Sequence, residues 1–117
     1  MFAATELRRY PTVTSYLATL TGVDDAEVET RLTTLAAFCS GIGETPDALV
    51  EGIFDRAQYR YLRRAEFSDA ILEFSAAGGG EWEEQTARGD VVRAFFHANG
   101  HRIAPARIPW QIWHQLP

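Results

Sequence analysis

The 117-residue chain is 46% apolar and 23% charged, with a formal charge of −5, the profile of one folded domain with a hydrophobic core rather than a disordered or fibrous chain. No apolar run approaches the ~18 residues of a membrane span, and the first ten residues lack the basic start and apolar block of a secretory leader. The negative balance argues against nucleic-acid binding by the whole surface, and a lone cysteine, Cys39, can make neither an internal disulfide nor a metal site by itself; a cytoplasmic location is expected.

The patterning is helical, without repeats or strand alternation. A first helix is expected from Pro11 or Thr12 to Leu20, with Val13, Tyr16, Leu17 and Leu20 on one face and Gly22 ending it. Asp24 caps a second helix whose first turn holds acids, where the helix dipole favours them. Its apolar stripe is Val28, Leu32, Leu35, Phe38, Cys39 and Ile42, a 3.6-residue period, and Gly41 and Gly43 close it. Thr45-Pro46-Asp47 starts a third helix, threonine at the cap and proline in the first helical position. That helix turns Ala48, Leu49, Ile53 and Phe54 inward and ends near Asp55. A fourth runs from Glu66 to Ala77, with Phe67, Ala70, Ile71 and Phe74 on one side and Gly78-Gly79-Gly80 after it. A fifth runs from about Gln85 to Ala98, with Val91, Val92, Phe95 and Phe96 inward and Asn99-Gly100 as its left-handed stop. Pro105, Pro109 and Pro117 keep the tail from being helical for long. The expected fold is therefore all-α: a compact bundle of about five short helices in residues 1–103, followed by a proline- and tryptophan-containing tail or linker in residues 104–117.

Charge is sorted unevenly along the chain. All eleven cations are arginine. Four of them (Arg56, Arg60, Arg63 and Arg64) fall within residues 56–64 with no acid among them and with Tyr59 and Tyr61 interleaved. Acids gather at residues 24–29 and 81–84. If the fourth helix extended back through the arginines, they would share the face of Phe67 and Ile71, and burying unpartnered charge is too costly. The helix should start near Ala65 or bend there, leaving the arginines on a loop or turn. Such a cluster can be solvated surface, can pair with nearby acids, or can grip phosphate through the guanidinium fork.

Two other outward faces stand out. Opposite its apolar stripe the second helix carries Ala26, Thr30, Thr33, Ala37 and Ser40, small and hydroxylated where charge is usual. That face can pack on another helix, approach a DNA groove, or be plain surface. On the fifth helix Thr86 is a candidate cap, Arg88 falls in the expected first turn and can reach past the helix end, and Arg93 lies on the polar side with His97.

No catalytic constellation emerges. His97, His101 and His114 lack metal-ligand spacing, no nucleophile elbow or phosphate loop occurs, and the triple glycine reads as a linker. Neither a cofactor nor a metal is expected.

The order of elements does carry a resemblance. TVTSYLATL, then VETRLTTLAAFCSGIGETPDALVEGI, then FSDAILEFSAAGGGEWEEQTARGDVVRAFFHANGHRI resembles the N-terminal core-binding domain of tyrosine recombinases, the phage-integrase family of DNA recombination and integration. The likeness covers about residues 12–103 and rests on packing and capping signals in order. It implies a SAM-like fold of two crossed helical hairpins that clamps one side of double-stranded DNA. By position it implicates Thr30, Thr33 and Thr34, the patch of Arg60, Arg63 and Arg64, and Thr86, Arg88 and Arg93 as DNA-binding residues. The family's chemistry belongs to a second, catalytic domain that these 117 residues do not contain. No catalytic residue carries over, and the expectation is a DNA-binding module that is not an enzyme, with a recombinase catalytic subunit as a candidate partner in trans. The alternative is a helical protein-interaction module that self-associates through Trp110 and Trp113 of the tail, since aromatic anchors dominate interfaces.

Overall fold

The computed structural model describes residues 2–104. They form α1 (Ala4–Leu7), α2 (Pro11–Ala18), α3 (Asp25–Ile42), α4 (Pro46–Ile53), β1 (Phe54–Asp55), β2 (Arg60–Tyr61), α5 (Arg64–Ala77) and α6 (Trp82–Ala98). The all-α class is as expected.

Local signals set most boundaries. The Asp24 carboxylate accepts from the Glu27 amide at 2.9 Å and starts α3. Gly43, with φ +78°, ends it in the left-handed conformation that glycine adopts without penalty. Thr45 accepts from the Ala48 amide at 3.1 Å, with Pro46 at the first position of α4.

The core takes Leu32, Leu35, Phe38 and Cys39 from α3, Phe67 and Ile71 from α5, and Val92, Phe95 and Phe96 from α6. Val13 and Tyr16 of α2 and Leu49 and Ile53 of α4 complete it, with Leu7 and Ile103 sealing two edges. Helix α6 packs against α2, α3 and α5. Phe96 stacks on Phe67 with ring centroids 5.5 Å apart, and Phe95 meets Tyr16 edge-on at 6.3 Å. At Gly89 helices α5 and α6 come so close that a Cβ would lie 2.5 Å from Ser75 Oγ. Burial pushes the Cys39 thiol up to about 12, so it stays a neutral small hydrophobe at ordinary pH.

The structure corrects four expectations. There are six helices among the described residues: α1 precedes the first one expected, buries Leu7 and packs on α3. Helix α6 begins at Trp82, not near Gln85, so the acids Glu83 and Glu84 fill its first turn instead of preceding it. Thr86 is therefore inside α6 and caps nothing, and Arg88 lies beyond the first turn; the N-cap position is Glu81. Finally, a short antiparallel hairpin joins α4 to α5, pairing Phe54 with Tyr61 and Asp55 with Arg60, where only a loop or turn was expected.

Candidate nucleic-acid interface

The hairpin is built from its own residues. Asp55 Oδ1 accepts from the amides of Ala57 at 2.9 Å and Gln58 at 3.3 Å, which closes the loop. Leu62 N–H donates to Ile53 carbonyl at 2.9 Å, anchoring the return strand on the end of α4. On the inner side Phe54 and Tyr61 pack edge-on at 5.0 Å, and both contact the His101 ring, at 5.9 and 5.8 Å. Burial lowers the pKa of His101, and the Arg56 charge lowers it further. Its Nδ1 is buried without a hydrogen-bond partner.

The arginines of this region divide sharply. Arg63 is spent internally: its two Nη atoms bond Glu44 in a bidentate pair at 2.9 and 2.7 Å, its Nε bonds Glu66 at 3.0 Å, and its guanidinium carbon lies 4.4 Å from the Phe67 ring centre. The pair holds Glu44 below the usual carboxylate range and raises Arg63 further above its own. Arg64 is exposed, and its guanidinium carbon lies over the Tyr61 ring, 3.9 Å from its centre. It lines a shallow groove with Arg102, Ala65, Ser68, Ile103 and Ala104, which contains no acid. Arg56 and Arg60 are exposed on the two sides of the loop. Asp55 stands opposite Arg60 but is turned to the loop amides, and no ion pair forms between them. Arg56 borders a cleft whose other lining includes Asp47, Glu51 and Asp55, so the cationic surface ends where α4 begins.

The other residues singled out in the sequence lie elsewhere. Thr30, Thr33 and Thr34 point off α3, and each hydroxyl donates to the carbonyl four residues back, at 3.0, 2.9 and 3.0 Å. Thr30 and Thr34 line a groove of about 430 Å³ between α3 and α6 together with Arg88, Glu27, Arg31 and Asp90. This groove mixes both signs of charge, and Arg31 is already bonded to Glu27 at 3.1 Å. Arg88 turns toward α5: Nη2 donates to the Ser75 carbonyl at 2.8 Å and to the Gly79 carbonyl, and Nε is buried without a partner. Arg93 bonds Asp90 at 2.9 Å, and its side chain is only 12% exposed. Thr86 is half-buried in α6.

The small-residue face of α3 also splits. Ser40 accepts from the Phe2 amide at 2.9 Å, and Arg8 pairs with Glu29, so the N-terminal segment covers one margin. Ala26, Thr30, Thr33 and Ala37 stay exposed.

The expected nine residues thus do not form one surface: Thr30, Thr34 and Arg88 line the α3–α6 groove, Arg60, Arg63 and Arg64 lie at the hairpin end, and Thr33, Thr86 and Arg93 line neither groove. Arg63, Arg88 and Arg93 are each engaged by protein groups. The hairpin end adds Arg102 and His101, for which the sequence held no local signal because they reach the site from beyond α6. Among the described residues no group of three or more His, Cys, Asp or Glu side chains converges to hold a metal. No helix among them is long and apolar enough to cross a membrane. Trp110 and Trp113 lie outside the described residues.

No protein-family model matches the chain, and comparison with curated proteins and with solved structures finds no match.

Proposed function

We propose that this protein is a cytoplasmic DNA-binding module without a catalytic role of its own, kin to the recombinase core-binding domains its sequence resembles. Its grip on phosphate comes from the hairpin end: Arg56, Arg60, Arg64 and Arg102. One observation carries this reading. Arg8, Arg31, Arg63 and Arg93 each pair with a carboxylate, whereas the four at the hairpin end form no ion pair among the described residues. An exposed guanidinium that is not tied up in an ion pair keeps its fork free for phosphate oxygens. Arg64 and Arg102 in one acid-free groove, with Arg56 and Arg60 on the adjoining hairpin, let a molecule of charge −5 attract a polyanion locally.

The experiment is equilibrium binding of a labelled DNA duplex across a salt series. About four phosphate contacts give a slope of about −3 to −4 in log K against log salt. The double variant Arg60→Ala/Arg64→Ala should weaken binding and flatten the slope by about 2, with no change in melting temperature. A flat salt response for the natural sequence, or an unchanged slope for the double variant, defeats the reading.

A further inference from the structure

The loop of the hairpin ends in Tyr59, whose backbone has φ +53°, the one left-handed non-glycine among the described residues. Glycine or asparagine closes such a loop at lower cost, because a Cβ crowds the following carbonyl in this conformation. A tyrosine here recovers little by packing. It is 84% exposed, the most exposed of the large apolar side chains among the described residues, and its one ring neighbour among them is Phe54, edge-to-face at 6.5 Å. The ring therefore stands exposed at the end of the hairpin loop, held there by an unfavourable backbone.

Its flanks give the ring a use. Arg56 opens the loop and Arg60 follows it, both exposed and neither in an ion pair among the described residues. A nucleotide base that has left its stack remains tied to a phosphate on either side. An exposed aromatic ring flanked along the chain by two exposed arginines suits that phosphate–base–phosphate sequence, and stacking on an aromatic ring is the usual way proteins hold an unpaired base. Tyr61 does not offer the same face: it is half-buried, with Arg64 over its ring and Phe54 and His101 at its edges. A membrane surface is a poorer fit, since the tip offers one hydroxylated ring and Leu62 rather than an apolar stretch.

We propose that Tyr59 stacks on an unpaired base, so that the preferred ligand is DNA with an extruded or single-stranded base rather than an unbroken duplex. This rests on the DNA-binding reading above and adds to it the structural class of DNA recognised.

The test measures fluorescence anisotropy of the full chain with three labelled probes: an unbroken duplex, the same duplex carrying a one-thymine bulge, and the single strand. The bulged and single-stranded probes should bind about tenfold more tightly than the unbroken duplex, the order of effect that one base–aromatic stack supplies. Tyr59→Asn tolerates the left-handed backbone and removes the ring. It should erase that advantage while leaving affinity for the unbroken duplex, and its salt slope, unchanged. Tyr59→Phe keeps the stacking face and should keep the advantage. Equal affinity for all three probes overturns the proposal but leaves the DNA-binding reading intact, as does an advantage that survives Tyr59→Asn. Failure of every probe to bind overturns both. Binding of anionic lipid vesicles in preference to any DNA probe also overturns both and assigns the patch to a membrane surface.

Discussion

The hairpin end and the α5–α6 junction use the same side chain for opposite purposes. At the junction Arg88 feeds two carbonyls at the end of α5, and Arg93 closes on Asp90. At the hairpin Arg56 and Arg60 form no ion pair among the described residues, and Arg64 rests on a tyrosine face. What separates them is the reach of a partner, not the residue type. The junction has orphan carbonyls at a helix C-terminus, which attract cationic donors. In the hairpin the acid paired across from Arg60, Asp55, is already committed to loop amides. Arg63 is the informative exception: it lies in the same sequence cluster as the free arginines, yet belongs with the structural ones because Glu44 comes within reach from the α3–α4 turn.

Mutations should separate the two classes by what they damage. Arg88→Ala should have the largest effect on stability. It leaves the Ser75 and Gly79 carbonyls without their charged donor, a loss of about 1–3 kcal/mol in urea denaturation, with the DNA salt slope unchanged. Arg63→Ala should cost about 1–2 kcal/mol: it removes the bidentate pair and the Phe67 contact, but both carboxylate and guanidinium side chains are about a third exposed or slightly less, so solvent screens part of the attraction. Gly89→Ala comes next. Its Cβ must displace Ser75 Oγ, an overpacking cost of about 1–3 kcal/mol offset by up to ~1 kcal/mol of gained helix propensity. A thermal melt should show a net loss. If instead Arg60→Ala destabilises as much as Arg88→Ala, the distinction between free and structural arginines collapses.

The same distinction marks what the sequence could reveal. Asp24, Gly43, Thr45 and Pro46 act on amides and dihedrals within a few residues, so the limits of α3 and the start of α4 were readable. The turn of Arg60–Tyr61 away from α5 was foreshadowed too, because a continued helix would have buried its charges. Helix α1 and the two-residue strands are too short for either periodicity to register. The start of α6 was misplaced because Glu83 and Glu84 looked like a separate acidic run, whereas the dipole makes acids welcome in a first turn. The fates of Arg88 and Arg93 and the arrival of Arg102 beside Arg64 depend on how α5, α6 and the segment after α6 pack together. No local pattern encodes those contacts.

The smallest expected effect probes the hairpin end from inside. His101 sits against Phe54 and Tyr61, and burial together with Arg56 lowers its pKa below the ordinary histidine value of 6.5. The unfolded chain therefore binds this proton at a higher pH than the folded one. The resulting stability is fully present above about pH 6.5 and is lost as pH falls through the lowered folded pKa. Asp47, Glu51 and Asp55 line the same cleft and offset part of the repulsion from Arg56, which keeps the effect small. A bound polyanion should reverse the sign: phosphates beside Arg56 favour the imidazolium, so DNA affinity should rise over the pH range in which stability falls. His101→Phe retains the ring contacts and should remove both trends. Persistence of the pH-dependent affinity in that variant would assign it to another group and detach His101 from the cationic surface.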